Sequence, residues 1–136
     1  MTRAATPHPS GRWLALAAAG AGASAVVLGA LGAHALPARL SPALLDVWHT
    51  AVRFQMWHAL ALAACVLPAR RSRGVRVAAL LFAIGIVLFC GSLYALALGA
   101  PRGIGMATPC GGLAFIAGWI ALGVGLYRHP AGGDSQ

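Results

Sequence analysis

The stretch Trp48 to His58, WHTAVRFQMWH, holds most of the groups in this chain that could move a proton or bind a ligand: His49, Thr50, Arg53, Gln55 and His58. At about 100° per residue on a helix, Asp46, His49, Thr50, Arg53 and Trp57 share one stripe, whereas Gln55 and His58 point elsewhere. Arg53 lies close enough to the start of an apolar run to snorkel outward or to meet a His or a carbonyl of a neighbouring helix. His58 falls deeper, where a neutral imidazole needs a partner for its N–H. Two roles stay open for it, a packed neutral group that fixes a helix interface and a proton relay or ligand.

Other chemistry is sparse. His34 and His49 could ligate a metal or haem iron, but neither has a second ligand four residues away on the same helix face. Cys65, Cys90 and Cys110 are widely spaced and form no C-x-x-C pair, so they read as small apolar packing residues. There is no paired carboxylate, no Ser/His/Asp set and no phosphate-cradling loop; Gly111-Gly112 reads as close helix packing. The expectation is therefore no catalytic residue, no metal and no cofactor.

The elements that must position these groups are set by solvent. Of 136 residues, 60% are hydrophobic and 9% charged, with a mean hydropathy of +0.79, against roughly one-quarter charged in a soluble domain. Four apolar runs, 13–33, 47–67, 75–99 and 104–127, are each about the 20 residues that cross a bilayer core. The sequence thus predicts an all-α polytopic membrane protein, a compact bundle of four transmembrane helices, with residues 1–12 and 128–136 as disordered tails. Ser41 followed by Pro42 predicts that the second helix starts ahead of its apolar run, and Thr108-Pro109 suggests a similar start for the fourth.

All ten basic residues are Arg, and the net charge is +8. They flank apolar runs instead of lining one face with interleaved aromatics, which argues against nucleic acid and for membrane orientation. Arg3, Arg12, Arg70, Arg71, Arg73, Arg76 and Arg128 share one side of a four-span topology, with Arg39 and Arg102 on the other. Basic loops stay in the cytoplasm, so both termini are expected on the cytoplasmic side of the membrane. Ala33-His34-Ala35 resembles a signal-peptidase site, but the preceding run is of transmembrane length and longer than the roughly 7–15 residues of a signal core, so the first span is expected to be retained.

This topology brings His34, His49, Arg53, Gln55, His58, Ser92, Tyr94 and Thr108 toward the extracytoplasmic half, as a candidate outer polar cluster. Helix contact in lipid favours small residues, and Gly29, Ala33, Gly91, Ala95, Gly112 and Gly118 are the candidate packing positions, with Gly29 and Gly91 foremost.

Four segments carry a family resemblance: Gly29 to His34 (GALGAH), Trp48 to His58, Gly85 to Tyr94 (GIVLFCGSLY) and Thr108 to Trp119 (TPCGGLAFIAGW). In order, spacing and placement they resemble the signatures of the family known as domain of unknown function 423, over about residues 13–127, and the transmembrane protein 256 group is similar. The resemblance implies a small multi-span inner-membrane protein with an uncleaved first span. It carries no reaction, ligand or catalytic residue onto the chain. Cys90 and Cys110 depart from the family pattern, and an acid can stand at the position of Arg53, which weakens any mechanism needing a cation there.

The functional expectation is a non-enzymatic accessory or structural membrane protein in contact with the bilayer and with a second copy or a membrane-complex partner. A small transporter or ion- or proton-conducting oligomer is the alternative, and a haem- or quinone-associated redox component a weaker one.

Overall fold

The computed structural model describes residues 9–67 and 72–128, and these form helices and turns with no strand among them. Arg3, Arg70, Arg71 and the tail residues 1–8 and 129–136 lie outside the described residues.

Helix α1 (Pro9–His34) starts at a proline, which suits a first helical turn whose amide needs no intrahelical partner. It therefore takes in Arg12 and its neighbours, which the sequence reading placed in a tail. A short 3-10 turn, Leu36–Ala38, reverses the chain into α2 (Pro42–Ala64). Ser41 caps α2 as expected, its hydroxyl accepting the Leu44 N–H at 3.4 Å, with Pro42 in the first turn.

The third rod comprises α3 (Arg73–Gly85), a π-helical turn (Ile86–Cys90) and α4 (Gly91–Ala97). Ser72 caps it, accepting the Val75 N–H at 3.3 Å. The rod stops at Gly99, whose φ of +91° is a left-handed conformation that glycine adopts freely. A 3-10 turn (Arg102–Met106) then leads into α5 (Ala107–Tyr127). Thr108-Pro109 falls inside the first turn of α5 and is not its cap, because the Thr108 hydroxyl is engaged by a side chain of the third rod.

Segments Gly11–His34, Arg73–Ala97 and Arg102–Tyr127 are long and apolar enough to cross a membrane. With 23 residues, or roughly 34 Å at 1.5 Å per residue, α2 matches them in length but carries the polar side chains. The helices line up as α1, α2, the third rod and α5, with the most extensive contacts between α3 and α5 and between α1 and α2. Phe82, Leu62, Val75, Cys65 and Cys90 are the largest fully buried side chains. Trp13, Leu16, Leu60, Val87 and Ile120 stand exposed on the outer faces, as side chains bathed in hydrocarbon would.

Close approach is bought with glycine at particular points. A Cβ on Gly111 would collide with the backbone nitrogen, Cα and Cβ of Phe89, and one on Gly85 would fall into the Phe115 ring. Gly118 meets Phe82 in the same way, and Gly29 makes ordinary contact with Val52. Gly112 is only near the Phe89 ring. Gly91 has open space where its Cβ would be, so it is not a point of helix contact, and Ala33 is exposed. Gly91 is small enough for close approach, but the residues that α4 buries are Ser92 and Ala97, and Gly91 lies on its exposed side.

Candidate functional site: a buried polar seam

A spacing of three and four residues, Trp48, Ala51, Gln55, His58 and Leu62, brings one face of α2 into the bundle. The charged stripe faces away: Asp46, Arg53 and Trp57 are exposed. Gln55 and His58 find partners on neighbouring helices, whereas Arg53, turned outward, extends back along Thr50 so that its guanidinium can snorkel toward the membrane surface, and the uncharged polar face therefore turns inward.

Gln55 is buried at 5% exposure and uses its amide fully. Its Nε2 donates to Ala21 O at 2.9 Å and to Ser24 Oγ at 2.8 Å, both on α1. Its Oε1 accepts from the Tyr94 hydroxyl at 2.9 Å, on α4. The carbonyl of Ala21 can only accept, which fixes the amide orientation. Ser24 in turn donates to Gly20 O at 2.8 Å, with Ala21 O at 3.1 Å. A directed chain therefore runs from Tyr94 through Gln55 and Ser24 to a backbone carbonyl, crossing three helices. Nearby, Trp48 Nε1 donates to Leu28 O at 2.9 Å, and its ring meets Tyr94 edge-on at 4.7 Å.

His58 forms a second node. Its Nδ1 lies 2.7 Å from Phe54 O, and Trp119 Nε1 donates to its Nε2 at 3.3 Å. A carbonyl only accepts and an indole N–H only donates, so these partners select the neutral tautomer with the proton on Nδ1. The imidazole stacks on Phe115 with ring centres 3.4 Å apart and planes 11° from parallel. Phe54, Phe82 and Phe89 complete the aromatic surround. Each node thus joins α2 to its neighbours with its polar atoms paired.

Ser92 and Thr108 form a third contact, with hydroxyl oxygens 2.6 Å apart. Ser92 also donates to Phe89 O at 2.9 Å inside the π turn, leaving Thr108 to supply the proton between the two.

The eight residues of the expected outer cluster are therefore not one site. Gln55 joins Tyr94, Ser92 joins Thr108, and His58 pairs with Phe54 and Trp119. His34 is exposed, His49 is half-buried beside Gly32, and Arg53 is exposed with its Nη2 3.2 Å from Thr50 Oγ1. No group of three or more His, Cys, Asp or Glu side chains able to hold a metal occurs among the described residues. Sequence reasoning missed Ser24, Trp48 and Trp119 as partners. The three-and-four spacing through Trp48, Gln55 and His58 was the signal for the inward face; nothing local to Ser24 or Trp119 pointed to theirs.

Helices of this length and polarity, joined by a paired polar seam, define a polytopic α-helical membrane protein. The profile of the family described as "Protein of unknown function (DUF423)" matches residues 28–112, and the chain belongs to that family. It is 45% identical over 101 residues to a UPF0382 membrane protein of Staphylococcus haemolyticus, covering 74% of this chain and 83% of that one. It is 43% identical over 108 residues to the UPF0382 membrane protein YwdK of Bacillus subtilis, covering 77% and 88%. With the UPF0382 inner membrane protein YgdD of Escherichia coli K12 it shares 35% identity over 127 residues, or 92% and 97% of the two chains. No solved structure matches the chain.

Proposed function

We propose that this protein is a non-enzymatic accessory or structural component of the bacterial inner membrane, with both termini cytoplasmic, and that its buried polar residues serve to fix the order and register of its helices. The observation that carries this reading is Gln55, which engages Tyr94, Ser24 and Ala21 at once. The chain of hydrogen bonds ends on a backbone carbonyl, which cannot pass a proton onward. The Gln55 amide in the middle of it is a poor relay because passing a proton would require protonating Oε1 and deprotonating Nε2. Arginines support the orientation: Arg12, Arg73, Arg76 and Arg128 lie at the helix ends that share one side, against Arg39 and Arg102 at the other. The inner-membrane name of the Escherichia coli relative supports the address. Partnership with a membrane complex or a second copy is part of the same reading.

Reconstitution tests it. Liposomes containing the purified protein should show no proton, sodium or potassium flux above protein-free liposomes across pH 5–8. A flux that Gln55→Leu or His58→Phe abolishes, with helicity and monodispersity retained, would replace this reading with the transporter alternative.

A further inference from the structure

Away from the polar seam, α3 and α5 enclose a groove of about 570 Å³ that opens on the outer face of the bundle. This is within the roughly 300–1,000 Å³ of ordinary ligand clefts. Its floor forms where Gly74 and Gly125 let the two backbones touch; a Cβ on Gly74 would lie 2.7 Å from Gly125 Cα. Ser72 ties this end shut by donating to Gly125 O at 3.2 Å. Arg73 and Val77 follow each other one turn apart on α3, and Arg128, Val124 and Ile120 do so on the antiparallel α5. Both stripes therefore begin with an exposed arginine at the same end and continue as exposed hydrocarbon toward the middle of the bilayer.

We propose that this groove binds an anionic phospholipid, with the phosphate between the Arg73 and Arg128 guanidiniums and one acyl chain laid against Val77, Ile120 and Val124. Charge selects the occupant. Two guanidiniums at the water–hydrocarbon boundary call for an anion, and the cytoplasmic leaflet is where anionic lipids are enriched. Among the described residues the one carboxylate is Asp46, near the start of α2 at the opposite end of the bundle, so a second copy packed in parallel brings no described carboxylate to these arginines. The lipid fits both halves of the groove, whereas a free phosphate would leave the apolar half empty. The site is independent of the proposed role of the seam, and only the leaflet assigned to the lipid follows from the proposed orientation.

Native mass spectrometry of the full chain in a mild detergent tests this without reference to orientation. Palmitoyl-oleoyl phosphatidylglycerol should be retained about tenfold better than phosphatidylcholine with the same chains. Arg73→Gln and Arg128→Gln should each weaken that retention roughly fivefold, the effect of about one surface cation on lipid attraction. Ala117→Trp, which fills the groove and keeps both arginines, should weaken it too, and Arg39→Gln should not. Glycerol 3-phosphate should not be retained. Equal retention of the two lipids by the unmodified protein overturns the proposal, as does unchanged phosphatidylglycerol retention in the double arginine variant. Retention of glycerol 3-phosphate as strong as that of the lipid, or spectra dominated by a lipid-free dimer, would overturn it as well.

Discussion

The Tyr94 hydroxyl donates to Gln55 Oε1 at 2.9 Å, and that one hydrogen bond links α4 to an amide already committed through both N–H groups to α1. Gln55 therefore holds together helices that are far apart in sequence. In lipid there is little hydrophobic gain from bringing helices together, so such bonds and close backbone packing carry the association.

Glycine contacts give the sharpest contrast in packing. Gly111→Ala should lower the free energy of unfolding in detergent by about 1–3 kcal/mol, because its Cβ meets the backbone of Phe89, which has no flexible end to move aside. Gly91→Ala should be neutral or stabilising by up to about 1 kcal/mol, since its Cβ meets open space and alanine favours a helix. Denaturation curves of the two variants, side by side, check both signs.

The hydrogen bonds of His58 specify a tautomer. Nitrogen-15 NMR of the protein labelled at histidine should show, at neutral pH, one ring with a protonated Nδ1 and a bare Nε2, as Phe54 O and Trp119 Nε1 require. Trp119→Phe removes the donor to Nε2 and should cost about 1–2 kcal/mol through an unpaired buried acceptor. Observation of the Nε2–H tautomer in the native protein would refute the assignment.

Charges on the outward stripe should contribute little favourable free energy to folding. Arg53 is exposed with a local partner in Thr50, and Asp46 is exposed. Asp46→Asn, near the head of α2, should shift stability by less than about 0.5 kcal/mol, and Arg53→Gln, which removes a charge from the middle of α2, should leave stability unchanged or raised, both measured in the same detergent series as Gly111→Ala.

The sequence made the solvent legible, and with it the helical class, because run length and arginine placement answer to the thickness and charge of a bilayer. Ser41 and Pro42 likewise announced the start of α2 through local chemistry. The site was only half legible. Gln55, His58, Ser92, Tyr94 and Thr108 stood out as polar groups in apolar surroundings, yet a helical wheel alone leaves two polar faces on α2 competing for the interior. Reach decides between them: Asp46 lies near the head of α2 and Arg53 extends back along Thr50 toward the membrane surface, whereas Gln55 and His58 need partners on other helices. The partners Ser24 and Trp119 come from other helices, and their proximity follows from packing that no local pattern encodes. Gly91 shows the same limit, since smallness permits close approach but the side of α4 that faces the bundle is the one carrying Ser92 and Ala97, and Gly91 has open space beside it.

A double-mutant cycle between Gln55 and Tyr94 tests the interlocking role of the seam most directly. Unfolding free energies of the unmodified protein, Gln55→Leu, Tyr94→Phe and the double variant in one detergent should yield a favourable coupling of about 0.5–2 kcal/mol, in line with hydrogen bonds between membrane helices. Strictly additive effects, with Gln55→Leu as stable as the unmodified protein, would contradict it.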